Sequence, residues 1–280
     1  MNVCAGIVLY NPDIARLHEN IKAIIGQVSE IVLVDNGSAN VYEAEEVANQ
    51  YGNKVSIIIN DKNYGIAKAL NQILEFADDK QYPVYITLDQ DSVCSENLIE
   101  KYLEVYQDNI GQISCNIVDR HIGNVDKVEF LNKSTRLIEH CITSGCINNT
   151  HAVKECGGYN ETLFIDGVDL DLSCKLREYG YDVLCINYDG LLHELGDGRQ
   201  IKAFGKTISV ANHAPWRNYY TRRNLIYVAR KYYKGFSRIN KLSKQILYAI
   251  GTIILEDKKI ERIKYNFNGI KDGMFMKTRD

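Results

Sequence analysis

Four apolar runs, Val3–Leu9, Ile31–Val34, Val55–Ile59 and Val84–Leu88, are each followed by polar residues: Asn11, Asp35, Asn63 and Asp89. Around them, apolar residues recur at helical spacing: Ile14, Leu17, Ile21, Ile24 and Ile25, then Ile66, Ala69, Leu70, Ile73, Leu74 and Ala77. Strands that stay apolar along their length are buried on both faces, which is the signature of a parallel sheet between helices. The alternation therefore predicts an α/β fold with a mostly parallel sheet flanked by helices.

After residue 110 the pattern loosens. Short strands are expected near Ile113–Val118 and Leu137–Ile142, a helix over Val168–Tyr179 ended by Gly180, and a strand over Asp182–Ile186. Three helical stretches follow from Trp216, and Ile246, Leu247, Ile250, Ile253, Ile254 and Leu255 make an apolar face among lysines. With no Pro/Gly/Ser-rich linker, the chain reads as one catalytic domain, residues 1–221, with a basic helical extension, residues 222–280.

The 280 residues are 45% hydrophobic, enough for a sizeable core. No window is apolar enough for a transmembrane helix, and the start, MNVCAGIVLYNPD, reads as a first strand rather than a signal peptide. The eight cysteines form no C-x-x-C pair; Cys4, Cys115 and Cys185 sit in apolar runs and are expected as buried thiols of a cytoplasmic protein. The net charge of −3 is uneven, with 15 Lys/Arg against 5 Asp/Glu from Arg222 onward. A basic tail of +10 on an acidic body suggests an anionic surface as partner. No zinc-finger spacing or RNP-type motif points to nucleic acid.

In an open parallel sheet, ligands bind outside the carboxyl ends of the strands, where Asn11, Asp35, Asn63, Gly65, Asp89 and Asp91 collect. In Leu88-Asp89-Gln90-Asp91-Ser92, strand alternation would turn Asp89 and Asp91 to one side and Gln90 away. Two such carboxylates can hold a hard divalent cation and leave room for phosphate; the alternative is a solvated turn. Neither G-x-G-x-x-G nor G-x-x-x-x-G-K-[ST] occurs, against a dinucleotide fold and a P-loop enzyme.

Val8-Leu9-Tyr10-Asn11-Pro12, Val34-Asp35-Asn36-Gly37-Ser38, Asn63-x-Gly65-x-Ala67-x-Ala69-x-Asn71 and Leu88-Asp89-Gln90-Asp91-Ser92 resemble the inverting family 2 glycosyltransferases of GT-A fold. Phe164-Ile165-Asp166-Gly167-Val168-Asp169-Leu170-Asp171-Leu172 and His193-Glu194-Leu195-Gly196 are similar in order and spacing. The D-Q-D-S and F-I-D-x-V-D forms resemble the rhamnosyltransferase branch. The resemblance covers roughly residues 3–225.

It implies a metal-dependent hexosyltransferase that uses Mg2+ or Mn2+. The donor would be dTDP-rhamnose first and UDP-sugars second; the acceptor would be a saccharide, lipid-linked or not, in bacterial-type surface polysaccharide assembly. Asp35 can accept from the imide N–H of uracil or thymine, or cap its own turn. Asn63 and Gly65 open a helix whose N-terminus favours anions. The family implies Asp89 near the ribose or metal, Asp91 on the metal, and His193 as a third metal or diphosphate contact; a structural histidine is the alternative. Asp169 aligns with the general base although this chain has Val168 where many relatives carry an acidic neighbour, and Asp166 is the second candidate. Arg217 and Arg223 fall where the family has arginines near the donor diphosphate, against a solvated helix face. Ser144 and Gly145 resemble a turn on the acceptor side, against a bland loop.

Two rivals remain open at this level. A sugar-nucleotidyltransferase would want a Gly-rich basic loop after the first strand, where this chain has Tyr10-Asn11-Pro12-Asp13. A non-catalytic nucleotide-sugar-binding or scaffolding protein would not need Asp89, Asp91 and Asp169. The tail is expected to lie on a membrane face at the cytoplasmic leaflet, or to pack on the body or on a second copy.

Overall fold

The computed structural model describes residues 1–119, 123–125, 130, 133–193, 199–203, 206–210 and 213–278. The chain divides into two compact units. One comprises residues 1–162 and 169–194, the other residues 163–168 and 195–280.

The first unit opens as the apolar runs predict. β1 (Val3–Leu9), α1 (Ile14–Ile24), β2 (Glu30–Asp35), α2 (Val41–Gln50), β3 (Val55–Ile59), α3 (Ile66–Asp79) and β4 (Val84–Asp89) alternate strictly. The Asp13 side chain caps α1 by accepting the Arg16 N–H at 3.1 Å, and the helix buries Leu17, Ile21 and Ile24 at i, i+4 and i+7. α3 buries Ala67, Ala69, Leu70, Ile73, Leu74 and Ala77 by the same periodicity. Then come β5 (Val93–Cys94), α4 (Leu98–Leu103), β6 (Ile110–Asp119), β7 (Gly123–Val125), β8 (Thr135–Leu137), β9 (Cys146–Asn149), α5 (Thr150–Glu155), α6 (Val168–Glu178) and β10 (Asp182–His193).

These strands form one sheet in the order β3-β2-β1-β4-β9-β6-β10-β5, with β7 on β6 and β8 on β10. The half β3-β2-β1-β4 is parallel. β9 runs antiparallel to both β4 and β6. The core is built from β1, β2, β4 and the inner faces of α1 and α2, and includes Leu98, Ile99, Tyr102, Ile113 and Ile147. The strand expected over Leu137–Ile142 is corrected: β8 stops at Leu137, and the next strand begins at Cys146 in β9. All eight cysteines are buried, and the Cys141 and Cys146 sulfurs lie 3.6 Å apart.

The second unit holds a hairpin, β11 (Arg199–Ala203) and β12 (Lys206–Val210), and three helices, α7 (Pro215–Tyr232), α8 (Gly235–Leu255) and α9 (Lys259–Phe275). A boundary at 221/222 would fall inside α7. Gly269 and Gly273 let α9 lie directly on α7: a Cβ on Gly269 would stand 2.4 Å from the Tyr219 carbonyl oxygen, and one on Gly273 2.6 Å from that of Arg223. Arg262 is buried there, donating to the His213 carbonyl at 2.8 Å and Asn218 Oδ1 at 2.7 Å and pairing with Glu256 at 2.5 Å.

Candidate active site

The register of the parallel strands aligns their carboxyl ends. Leu9 lies opposite Asp35, Asp35 opposite Ile59, and Val8 opposite Asp89. Asn11, Asp35, Asn63, Gly65, Asp89 and Asp91 are thereby brought to one edge of one sheet.

Side-chain amides stitch this edge together. Asn11, at φ 47, donates its N–H to Ser38 Oγ at 2.8 Å and accepts the Ala39 N–H on Oδ1 at 2.8 Å. Asn36 Nδ2 donates to Asn63 Oδ1 and the Gly65 carbonyl, both at 3.1 Å, while its Oδ1 accepts the Tyr64 N–H at 3.1 Å. Asn63 Oδ1 also takes the Gly65 N–H at 2.9 Å, setting the entry to α3. Gly37 at φ +82 faces Lys62 so closely that a Cβ would lie 2.5 Å from the Lys62 carbonyl carbon. The motif singles out Asp35 and Asn63, but Asn36 joins them; the signal for it is a buried amide directly after an apolar run.

Asp35 is fully buried. Its Oδ1 accepts the N–H groups of Gly37 at 3.0 Å and Ser38 at 2.9 Å. Its Oδ2 is buried with no hydrogen-bond partner among the described residues. The turn cap and a spare acceptor thus belong to the same carboxylate. A buried acceptor left unmade is costly in a stable fold, so Oδ2 suits a ligand N–H.

β4 ends at Asp89, and the Ser92 N–H closes a turn on the Asp89 carbonyl at 3.2 Å. Strand alternation therefore does not extend to Asp91, and Gln90 does not simply face away: its Oε1 accepts the Tyr10 N–H at 2.9 Å. Asn20 Nδ2 donates to the Asp89 carbonyl at 2.6 Å. Below the turn, Ser144 Oγ accepts the Asp89 N–H at 3.0 Å and lies 2.7 Å from Ser92 Oγ. Gly145, at φ +72, donates its N–H to the Thr87 carbonyl at 2.9 Å, and its own carbonyl accepts the Tyr102 hydroxyl. Ser144 is only 2% exposed. Its geometry braces the end of β4.

Asp169 stands half-buried in the first turn of α6, its Oδ1 accepting the Leu170 N–H at 2.8 Å. Burial pushes the Cys146 thiol well up, the Cys141 thiol adds to this, and the Asp169 charge contributes further. Asp171 is buried, with Lys175 Nζ 3.6 Å from its carboxylate. His193 ends β10 opposite Asp119; its side chain and residues 194–198 lie outside the described residues.

In the second unit, Asp166 has its carboxylate engaged. Arg217 Nη2 donates to Oδ1 at 2.7 Å, Arg217 Nε reaches both oxygens at 3.1 and 3.2 Å, and Thr221 Oγ1 donates to Oδ2 at 2.6 Å. Asn224, fully buried, donates from Nδ2 to the carbonyls of Leu163 at 2.6 Å, Ile165 at 2.8 Å and Asp166 at 2.8 Å. Arg223 donates to Asn224 Oδ1 at 2.8 Å and lies over the Tyr219 and Tyr220 rings. This side of α7 holds residues 163–166 in place through Arg217, Thr221 and Asn224. Burial and the neighbouring Arg217 charge lower the pKa of His213 in the same cluster.

Among the described residues no group of three or more His, Cys, Asp or Glu side chains is gathered to hold a metal ion. Asp89 and Asp91, half-buried and two residues apart, offer oxygen donors alone. That donor set fits a hard cation that completes its shell with phosphate oxygens and water.

A sheet whose parallel half gathers a buried carboxylate, a D-x-D turn and a helix N-terminus at its carboxyl edge defines a GT-A glycosyltransferase. The chain belongs to glycosyl transferase family 2, whose family model matches residues 4–166. It is 28% identical over 291 residues to the dTDP-rhamnosyl transferase RfbF of Shigella flexneri, covering 98% of this chain and 95% of that protein. In fold it is similar to residues 1–349 of TarS from S. aureus solved with UDP-GlcNAc (TM-score 0.68, 13% identity, 98% of this chain and 81% of that one). It is likewise similar to GalNAc-T7 solved with UDP, GalNAc and Mn2+ (TM-score 0.63, 15% identity, 99% of this chain); the chain spans 56% of that one.

Proposed function

We propose that this glycosyltransferase moves rhamnose from dTDP-rhamnose to a saccharide hydroxyl, with inversion at the anomeric carbon, in the assembly of a bacterial-type surface polysaccharide. The observation that carries the donor reading is Asp35, whose Oδ2 is buried at the carboxyl end of β2 with no hydrogen-bond partner among the described residues. Thymine and uracil present an imide N–H to such an acceptor; adenine and cytosine have none. The near-full-length likeness to a dTDP-rhamnosyl transferase supports thymine over guanine and rhamnose as the sugar.

Asp89 and Asp91 would hold Mg2+ or Mn2+, in keeping with the Mn2+ of GalNAc-T7. When bound, the cation supplies Lewis-acid stabilisation of the departing diphosphate. Asp169 takes the proton from the acceptor hydroxyl as its oxygen attacks the anomeric carbon. The C–O bond to dTDP breaks as the new glycosidic bond forms, so one displacement inverts the centre. Asp166, engaged by Arg217 and Thr221, is an anchor in this reading.

Calorimetry with dTDP, UDP and GDP in the presence of Mn2+ tests the donor. Binding of dTDP first and UDP second is expected. Tight GDP binding with none for dTDP or UDP would overturn the assignment.

A further inference from the structure

We propose that α8, with the outward face of α9, docks this chain flat on an anionic lipid surface. Ile239, Ile246, Ile250 and Ile254 recur along α8 at helical spacing with Phe236 and Leu247 beside them, and each is at least 49% exposed. Gln245 and Ala249 form the packed side of the same helix. On α9, Arg262, Asn266, Gly269 and Gly273 face inward, while Ile260, Ile263, Phe267 and Met274 face outward. Singly scattered apolar residues need no explanation, but rows of them along two helices mark an interaction surface.

Charge selects the occupant. No Asp or Glu occurs from Gly235 to Leu255, where Arg238, Lys241 and Lys244 do. Lys264 and Lys271 are exposed on α9 beside its outward apolar residues. A second copy would bring a +10 tail against another +10 tail. An anionic bilayer accepts both components, apolar side chains below the headgroups and cations among them. No helix among the described residues is long and apolar enough to cross a membrane, so the helices lie in the interface. The proposal stands apart from the donor chemistry, because binding is read without donor or acceptor.

The test is co-sedimentation of the full chain with phosphatidylglycerol-rich vesicles and with pure phosphatidylcholine vesicles, at low and high salt. Binding is expected to the first alone and to weaken with salt. Ile250→Glu/Ile254→Glu should abolish it with thermal unfolding unchanged. Lys244→Gln/Lys264→Gln should weaken it about thirtyfold, since each removes a cation near the surface; this pair keeps the test decisive should the glutamate variant unfold. No binding at low salt, equal binding to both vesicle types, or a dimer by light scattering that the glutamate variant dissociates would overturn the proposal.

Discussion

Ser144 Oγ takes the backbone N–H of Asp89 at 3.0 Å from within the core. The aspartate's position at the end of β4 therefore depends on a hydroxyl 55 residues further along the chain. Ser144→Ala removes that acceptor and the Ser92 contact together. We expect a stability loss of about 1–3 kcal/mol and a roughly tenfold rise in the Mn2+ concentration needed for transfer. A purely structural brace would lower the unfolding midpoint and leave the Mn2+ titration where it was.

Asp169→Asn should reduce turnover by at least about 10²-fold, the lower range for losing a general base, with donor binding nearly intact. Asp166→Asn should act differently. It weakens the hold on Arg217 and Thr221, costing about 1–2 kcal/mol at this partly exposed pair. Turnover measured beside thermal unfolding separates the two; a dead, stable Asp166→Asn with a healthy Asp169→Asn would exchange their roles.

Asp91→Ala should abolish transfer and remove the divalent-cation dependence of dTDP binding. Calorimetry with and without Mn2+ reads this directly. Full activity with unchanged metal dependence would exclude Asp91 as a ligand.

The thiols should resist alkylation in the native protein. Burial pushes Cys4 and Cys115 up to about 12, and Cys156 and Cys185 to about 11. The thiolate is the reactive form, so iodoacetamide at pH 8 should label these four cysteines only after denaturation. Rapid native labelling of Cys4 or Cys115, read by mass spectrometry, would contradict the packing around β1 and β6.

The first four strands were legible because a parallel strand must be apolar along its whole length, and Val3–Leu9 and Val55–Ile59 appear with their full bounds. α2 is harder to read: it buries only Ala44, Val47 and Ala48 among acidic residues. β9 is hidden for another reason. Its Asn148 and Asn149 look like loop residues, yet Asn148 is buried with its Oδ1 accepting from Gln112 Nε2 at 2.9 Å. At the site, the D-x-D turn and Asp35 are visible as carboxylates closing apolar runs. Asn36 and the bracing role of Ser144 are not, because each acts through partners at least 24 residues away that only the sheet brings near.

The Asn36 junction has a thermodynamic consequence. One side chain fastens the turn after β2 to the loop entering α3, and Asn11 fastens the end of β1 to the same turn. In the proposed reading, a nucleotide arriving at this edge would meet loops whose ordering entropy was lost during folding rather than at encounter. Preorganisation of this kind raises affinity by cutting the cost of association without adding a contact. Asn36→Ala should thus shift the binding entropy more than the binding enthalpy, although Asn36 need never touch the nucleotide.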